Sequence, residues 1–93
     1  MDLTGRPAPL KVLASEQILE RLRTIHPNHR RDIRTALREL AKGSGDVKEL
    51  VGRLAGFYRM RIGRYRIVYR YRDKHLEAIF LEQRSIMYEL FRP

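Results

Sequence analysis

The first half of the chain carries two stretches whose apolar residues recur at helical spacing. Ile18, Leu22 and Ile25 fall at i, i+4 and i+7, which places them on one face of a helix that Ser15 can cap. A His-Pro pair interrupts this stretch, and a second apolar stripe follows: Ile33, Ala36, Leu37, Leu40 and Ala41. The pattern predicts a helix hairpin whose two apolar faces can cover one face of a sheet.

In the second half the period changes to two. Residues 57–62 and 65–72 alternate apolar or aromatic side chains with basic ones, and the Gly63-Arg64 pair between them is typical of a tight turn. A third strand is predicted over residues 76–82 after a second turn. The positions that alternation assigns to the core face are Tyr58, Met60, Ile62, Tyr65, Ile67 and Tyr69.

The remaining segments complete an α+β architecture. Residues 10–14 alternate in part and predict a short first strand, whereas residues 47–54 fit either a helical turn or a loop. The tail, residues 84–91, fits a short helix or an irregular end. We therefore expect a small antiparallel sheet in β-α-α-β-β-β order, with the helix hairpin packed on one face. Residues 1–93 form one domain in this interpretation, with residues 1–9 as a flexible lead-in.

Positive charge is concentrated in one part of the chain. The 93 residues include 20 Lys+Arg and 11 Asp+Glu, which gives a net charge of +9. Residues 53–72 contain no acid and supply +7 of this charge through seven arginines: Arg53, Arg59, Arg61, Arg64, Arg66, Arg70 and Arg72. A strongly basic strip on a nearly neutral body indicates a polyanionic partner and argues against an enzyme of neutral metabolites.

Several other classes of function are excluded by composition. The chain has no cysteine, which rules out disulfides, thiol catalysis, thiolate zinc sites and iron–sulfur clusters. The histidines, at 26, 29 and 75, lack metal-ligand spacing, and no phosphate loop or paired carboxylates are visible, so we expect no metal and no cofactor. No apolar run approaches the roughly 20 residues of a membrane span. Without a signal-peptide core, the expected location is the cytoplasm, with no membrane partner.

Strand alternation turns the basic strip into a surface. It places Arg59, Arg61, Arg66, Arg70 and Arg72 on the sheet face opposite the helices. Guanidinium groups bind phosphates with paired donors and remain charged at physiological pH. A charged, solvated face is the ordinary alternative for a sheet with one wet side. Unneutralised like charges on adjacent strands oppose folding, however, so binding of an RNA or DNA backbone is favoured.

A candidate for acid–base chemistry lies in the tail. Clustered arginines can stabilise charge that develops on a phosphodiester, and neighbouring cations lower the pKa of a tyrosine so that it can act as a general base. Tyr88 is the candidate because Arg84 precedes it by one helical turn. A packing role is the alternative for a tyrosine in such a tail.

The second half also resembles a known family. Residues 50–71 read LVGRLAGFYRMRIGRYRIVYRY, and residues 83–88 read QRSIMY. This sequence resembles the RelE/ParE toxin superfamily, above all the RelE branch of ribosome-dependent messenger-RNA endoribonucleases. That branch has a similar "LKG…G.YRLRVGDYRVVY" segment and an "HR..VY" tail. The resemblance implies a RelE-like toxin domain, and the first half agrees with it in element order.

The resemblance implies a role for five residues: Arg59, Arg61, Arg66, Arg84 and Tyr88. The arginines would bind the substrate phosphate and stabilise the transition state, and Tyr88 would be the general base. The implied reaction is metal-independent attack of a ribose 2′-OH on the adjacent phosphate of messenger RNA in the ribosomal A site. It yields a 2′,3′-cyclic phosphate. The other basic-strip residues are expected to contact ribosomal RNA or an antitoxin: Arg53, Arg64, Arg70 and Arg72.

Family members belong to type II toxin–antitoxin systems, so the resemblance also implies a cognate antitoxin that wraps the toxin and displaces its tail. Two positions depart from the family pattern. Gln83 replaces a common histidine, and Arg64 stands where an acid often follows the turn glycine. Neither position has an assigned catalytic role. The alternative is a non-enzymatic binder, either a ParE-like inhibitor of DNA gyrase or an RNA-binding relative. The ParE branch usually lacks the full basic set with tyrosine, which favours the nuclease.

Overall fold

A first strand is followed by two helices, as predicted, but four strands and not three come after them. The computed structural model describes residues 10–90, except for the side chains of Tyr88 and Leu90; the predicted lead-in, residues 1–9, lies outside this range. The elements are β1 (Lys11–Ala14), α1 (Glu16–Thr24), α2 (Pro27–Ala41), β2 (Val47–Glu49), a 3₁₀ turn (Gly52–Leu54), β3 (Tyr58–Ile62), β4 (Tyr65–Arg72), β5 (His75–Gln83) and α3 (Arg84–Leu90). The α+β class is confirmed. No helix within these residues is long and apolar enough to cross a membrane.

The five strands form one sheet in the order β1-β5-β4-β3-β2. From β2 to β5 each pair of neighbours is antiparallel, as expected of a meander. β1 instead runs parallel to β5, with Val12 opposite Leu76, so the sheet is mixed and not purely antiparallel as predicted. Alternation shows which face a strand buries but not its direction. In the chain, both helices and three strands separate β1 from β5. The two strands are therefore not joined by a hairpin turn, which would have imposed an antiparallel pair.

The ambiguous segment, residues 47–54, divides into two elements. Its first residues form β2, which adds an edge strand next to β3 with Val47 opposite Met60. Its last residues form the 3₁₀ turn. All three residues of β2 are exposed. With so short a strand and no buried face, no hydrophobic alternation was available to predict it.

The junction between α1 and α2 is closed by side chains. Ser15 Oγ accepts a hydrogen bond from the Ile18 amide, which caps α1 as predicted. At the other end of α1, the Arg30 guanidinium donates to the carbonyl oxygens of Leu22 and Ile25 over 2.9 and 3.1 Å. These carbonyls have no partner within the helix, so Arg30 satisfies them and fixes α2 against the end of α1.

The main hydrophobic core lies between these two helices and one face of the sheet. Ile18 and Ile33 from the helices and Ile67 and Leu81 from the sheet are fully buried. All six sheet positions that alternation assigned to this face belong to the core or pack against it. Burial of this apolar surface is the main favourable contribution to folding, at about 25 cal/mol per Å².

The second face of the sheet is partly covered by α3. This helix contacts β4 and β5. Val68 and Met87 are buried outside the main core, at 4% and 6% exposure, and Val68 alternates with core residues along β4. A small apolar contact region therefore lies on the same face as the arginines of the basic strip.

The edge of β5 is protected beyond the end of β1 as well. β1 pairs with β5 only as far as Ala78. Beyond that point the Gln17 side-chain amide donates to the Leu81 carbonyl oxygen and accepts from the Leu81 amide, each over 2.9 Å. This pair of bonds imitates a strand, so the backbone groups of β5 are satisfied where β1 has ended.

Candidate nucleic-acid interface

The centre of the candidate site is a cross-strand pair of arginines. In the antiparallel register of β3 and β4, Arg61 lies opposite Arg66, and Arg59 lies opposite Val68. Directly opposed residues share a sheet face, and residues two apart along a strand do so as well. Arg59, Arg61 and Arg66 therefore lie on one face, the one predicted for them.

Arg66 is held in place by backbone groups. It is 7% exposed, and its Nη1 donates to the carbonyl oxygens of Gly63 and Tyr65, each over 2.8 Å. Both carbonyls belong to the β3–β4 turn or its margin. A guanidinium carries five N–H donors, so this anchoring leaves further donors for a ligand. Arg66 is thus a preorganised cation whose position is set by the turn.

Three other arginines act electrostatically on Arg66. Its pKa is lowered first by burial and then by the positive charges of Arg59, Arg61 and Arg84, while Asp46 opposes the shift. Arg84 reaches this position because α3 begins directly after β5, and its backbone amide donates to the Arg64 carbonyl oxygen over 2.8 Å. The structure therefore brings together four of the five predicted catalytic residues. We call Arg59, Arg61, Arg66 and Arg84 the arginine cluster.

One acidic residue of the site was missed by the sequence analysis. Asp46, in the loop before β2, accepts a hydrogen bond from Arg61 Nε over 2.9 Å, and its carbonyl oxygen accepts from the Arg61 amide. Both side chains are exposed, so the pair is weak and an anionic ligand can compete for Arg61. Asp46 lies fifteen residues from Arg61 in the chain, and no local motif links them.

Two arginines of the basic strip already have an acidic partner. Arg70 and Arg72 both approach Glu77 on β5, at 3.5 and 3.8 Å. Arg70 also lies over the Phe57 ring, 5.4 Å from its centroid. The charge of +7 counted over residues 53–72 therefore overstates the charge available to a ligand, because Glu77 on the adjacent strand neutralises part of it. Their predicted RNA contacts would have to compete with Glu77.

The other two arginines predicted to contact RNA, Arg53 and Arg64, are exposed. Within residues 10–90 neither makes an ion pair. Arg64 lies in the β3–β4 turn beside the arginine cluster, whereas Arg53 lies in the 3₁₀ turn before β3. Both are available to an anionic partner.

Tyr88, the fifth predicted catalytic residue, belongs to α3 one turn after Arg84. Its side chain lies outside the described part of the structure, so its role as a base stays a prediction.

The histidines near the start of α2 make local contacts. His26 Nδ1 accepts from the Asn28 amide at the start of α2, and the His29 ring lies 5.6 Å from that of Tyr65. Among the described residues, no group of three or more histidines or acids has the arrangement of a metal site.

No family model matches this sequence, and no curated protein matches it either. Several solved structures share the fold. The RelB–RelE complex of Methanococcus jannaschii contains a chain with a TM-score of 0.70 and 20% identity, which covers 85% of this chain and 98% of that one.

Two further structures are similar at 25% identity and a TM-score of 0.67. They are the RelE–RelB complex of Pyrococcus horikoshii, with 84% and 98% of the two chains covered, and the RelBE2 complex of Mycobacterium tuberculosis, with 83% and 100% covered. The fold is thus that of the RelE-type toxins. The chain belongs to the RelE-type toxin superfamily.

Proposed function

We propose that this protein is the toxin of a type II toxin–antitoxin system and acts as a metal-independent, ribosome-dependent messenger-RNA endoribonuclease. The observation that carries the proposal is the arginine cluster, in which Arg66 is buried, anchored by two carbonyls and surrounded by three more arginines. Such a concentration of fixed cations opposes folding. It is accounted for by a ligand whose negative charge increases during reaction.

A phosphodiester undergoing internal transesterification is such a ligand. The ribose 2′-oxygen attacks phosphorus, the bond to the 5′-oxygen breaks, and a 2′,3′-cyclic phosphate and a 5′-hydroxyl result. The phosphorane transition state carries more negative charge than the substrate, so preorganised guanidinium groups stabilise it selectively. In this mechanism Tyr88 accepts the 2′-OH proton, and a water molecule gives a proton to the departing 5′-oxygen.

The described side chains of the site support the proposed ribosome dependence. Within the described side chains, the carboxylate that influences Arg66 is Asp46, and it is already paired with Arg61. The cluster therefore supplies electrostatic stabilisation but little means of aligning the 2′-OH in line with the leaving oxygen. Messenger RNA held in the ribosomal A site would arrive with this alignment imposed, and orientation alone contributes several powers of ten to such reactions.

The proposed partners are the cognate antitoxin and the ribosome carrying messenger RNA, both in the cytoplasm. Antitoxin binding is supported by the RelE-type structures described above, which were solved as complexes with RelB proteins. An acidic antitoxin segment would compete with RNA for the arginine cluster.

Primer extension on messenger RNA in a translating extract tests the proposal. We expect the wild type to cleave within codons, and Arg66→Ala and Tyr88→Phe to lose about 10²-fold or more of that cleavage. Lys74→Ala, which removes an exposed charge from the β4–β5 turn, is the control and should cleave normally. Inhibition of DNA gyrase supercoiling without cleavage would reject the nuclease in favour of a ParE-like activity.

A further inference from the structure

A second group of arginines lies on α2, away from the arginine cluster. A groove of about 320 Å³ is lined by Pro27, Arg30, Arg31, Arg34 and Arg38. The last three are exposed, and we call them the α2 arginine row. Because α2 packs on the core face of the sheet while the cluster lies on the opposite face, the groove is a separate surface.

The α2 arginine row is unfavourable for the helix that carries it. Arg34 lies four residues after Arg30 and four before Arg38, and like charges at this spacing repel across one helix turn. The first turn of α2 contains no acidic residue, so Arg30 and Arg31 stand at the positive end of the helix dipole without compensation. Arg38, in the last turn, is favourable to the helix dipole, but helix stability does not explain Arg31 and Arg34.

No acid within residues 10–90 neutralises the row. Arg31, Arg34 and Arg38 make no ion pair there, and Arg38 has only a hydrogen bond to Thr35. The acids of α2 are engaged or face elsewhere. Glu39 pairs with Lys42, and Asp32 lines a different cleft with His29. The guanidinium groups of the row therefore remain open to an external anion.

The composition of the surface indicates which anion. Protein partners usually bind around an apolar centre, whereas nucleic-acid interfaces are polar and strongly positive. The large apolar side chains exposed within the described residues lie on other elements and none lies on α2: Leu13, Leu19, Val47, Val51, Tyr71 and Ile86. Arginine, which grips phosphate with paired donors, supplies every charge of the row.

We propose that the α2 arginine row binds the phosphate backbone of structured RNA. Arg30 contributes indirectly, because its bonds to Leu22 and Ile25 hold the start of α2 rigid. Identification of that RNA as ribosomal rests on the proposed function. On that basis the toxin contacts RNA on two opposite faces, with messenger RNA at the arginine cluster and ribosomal RNA at α2.

The test compares two double variants of the full chain, Arg34→Gln/Arg38→Gln and the control Lys11→Gln/Lys74→Gln. Each removes two exposed charges. Binding of a short fluorescein-labelled RNA duplex is followed by fluorescence anisotropy over a range of salt concentrations. Each lost phosphate contact should reduce the slope of log K against log[salt] by about 0.9 and weaken binding roughly tenfold near 0.1 M salt. The control should keep the wild-type slope.

Three results would overturn the proposal. The α2 variant could bind the duplex as tightly as the wild type, or the α2 variant and the control could lose affinity for the duplex equally. In the third result, the α2 variant keeps its affinity for the duplex but loses affinity for a polyglutamate peptide. Thermal melting shows whether the α2 variant is folded, and its melting temperature should equal or exceed that of the wild type because repulsion is relieved.

Messenger-RNA cleavage in the translating extract is measured separately. The α2 variant should need more toxin for half-maximal cleavage yet reach the wild-type extent. If the wild type does not cleave at all, the proposed function fails, while the duplex measurement still decides the role of α2.

Discussion

Arg66 is the residue at which stability and the proposed activity conflict most directly. A buried cation loses hydration, and three neighbouring cations add repulsion, so its pKa is lowered. Two backbone carbonyls offset part of this cost through charge-assisted hydrogen bonds. The arrangement is unfavourable for an empty site and favourable for one that holds a phosphate.

Arg59 allows this conflict to be measured. Among the charged neighbours of Arg66 it has the largest effect on the pKa, and it makes no ion pair within the described residues. Arg59→Gln should therefore raise the free energy of unfolding by up to about 1 kcal/mol and reduce cleavage by about 10²-fold. Thermal melts at low salt and primer extension check the two effects. A melting temperature of Arg59→Gln below that of the wild type would contradict the repulsion between Arg59 and Arg66.

For single residues, the sequence predicted which sheet face a side chain lies on better than it predicted which other side chains lie nearby. Alternation alone placed Arg59, Arg61 and Arg66 on one face, because a strand has only two faces. The approach of Arg84 came from family resemblance, since spacing does not show how a helix after a strand will turn. Asp46 was missed because it joins the site through a loop.

Among the elements, the turn between β3 and β4 has the most consequences for the site. Its carbonyl oxygens serve two members of the arginine cluster: that of Gly63 accepts from the Arg66 side chain, and that of Arg64 accepts from the Arg84 amide. Gly63 adopts φ +57°, a left-handed conformation that costs other L-residues about 1 kcal/mol or more. The geometry of this turn therefore sets the spacing within the cluster.

Substitution of Gly63 should thus affect cleavage more than stability. A Cβ at this position meets no atom within 4 Å, so Gly63→Ala introduces backbone strain without a clash. We expect a loss of about 1 kcal/mol in unfolding free energy and a larger fall in the cleavage rate at saturating ribosomes than in apparent affinity. Gly63→Asn should restore much of the activity, because asparagine tolerates this conformation.

The matched control is Gly52→Ala, which also places a side chain at positive φ in open space but lies before β3, whereas Gly63 follows it. It should lose stability without losing cleavage. Equal losses of cleavage in both alanine variants would mean that the turn acts only through global stability.

Sequence patterns predicted the strands and helices that present apolar side chains to the core, β1 among them, and left the segment that contains β2 ambiguous. α1, α2, β3, β4 and β5 were found because each presents an apolar stripe to the core. β2 has no buried residue, and β1 gave no indication of its direction. Both strands lie at the edges of the sheet, where backbone hydrogen bonds to the neighbouring strand, and not side-chain burial, determine whether and in which direction a strand forms.

For the molecule as a whole, the core contains a group that should limit stability at high pH. Tyr69 is 1% exposed, and burial, followed by the neighbouring Tyr71, raises its pKa above the ordinary value of 10.0. The folded state therefore favours the neutral phenol. The contribution of Tyr69 to the free energy of unfolding is complete below pH 10. It is lost as the pH rises from there toward the higher pKa of the folded state.

Alkaline unfolding should accordingly depend on Tyr69. Above pH 10 the wild type should lose up to about 1.4 kcal/mol of unfolding free energy per pH unit from this group. Tyr69→Phe should remove that component, whatever its effect on stability at neutral pH. Denaturant unfolding followed by circular dichroism between neutral and alkaline pH measures both slopes. Identical slopes in the two proteins would assign the pH dependence to other groups.

The parallel pairing of β1 with β5 has a consequence for synthesis. Lys11 is aligned with His75, so more than sixty further residues must be synthesised before β5, the sheet neighbour of β1 within residues 10–90, exists. Contacts so distant in sequence form late and slowly. While the chain is being translated, β1 and the helices have no sheet to close upon, and the segment that brings Arg84 to the arginine cluster comes still later. On the proposed function, a nascent chain therefore lacks the complete arginine cluster, and with it the means to cleave, until residues 84–90 have been translated.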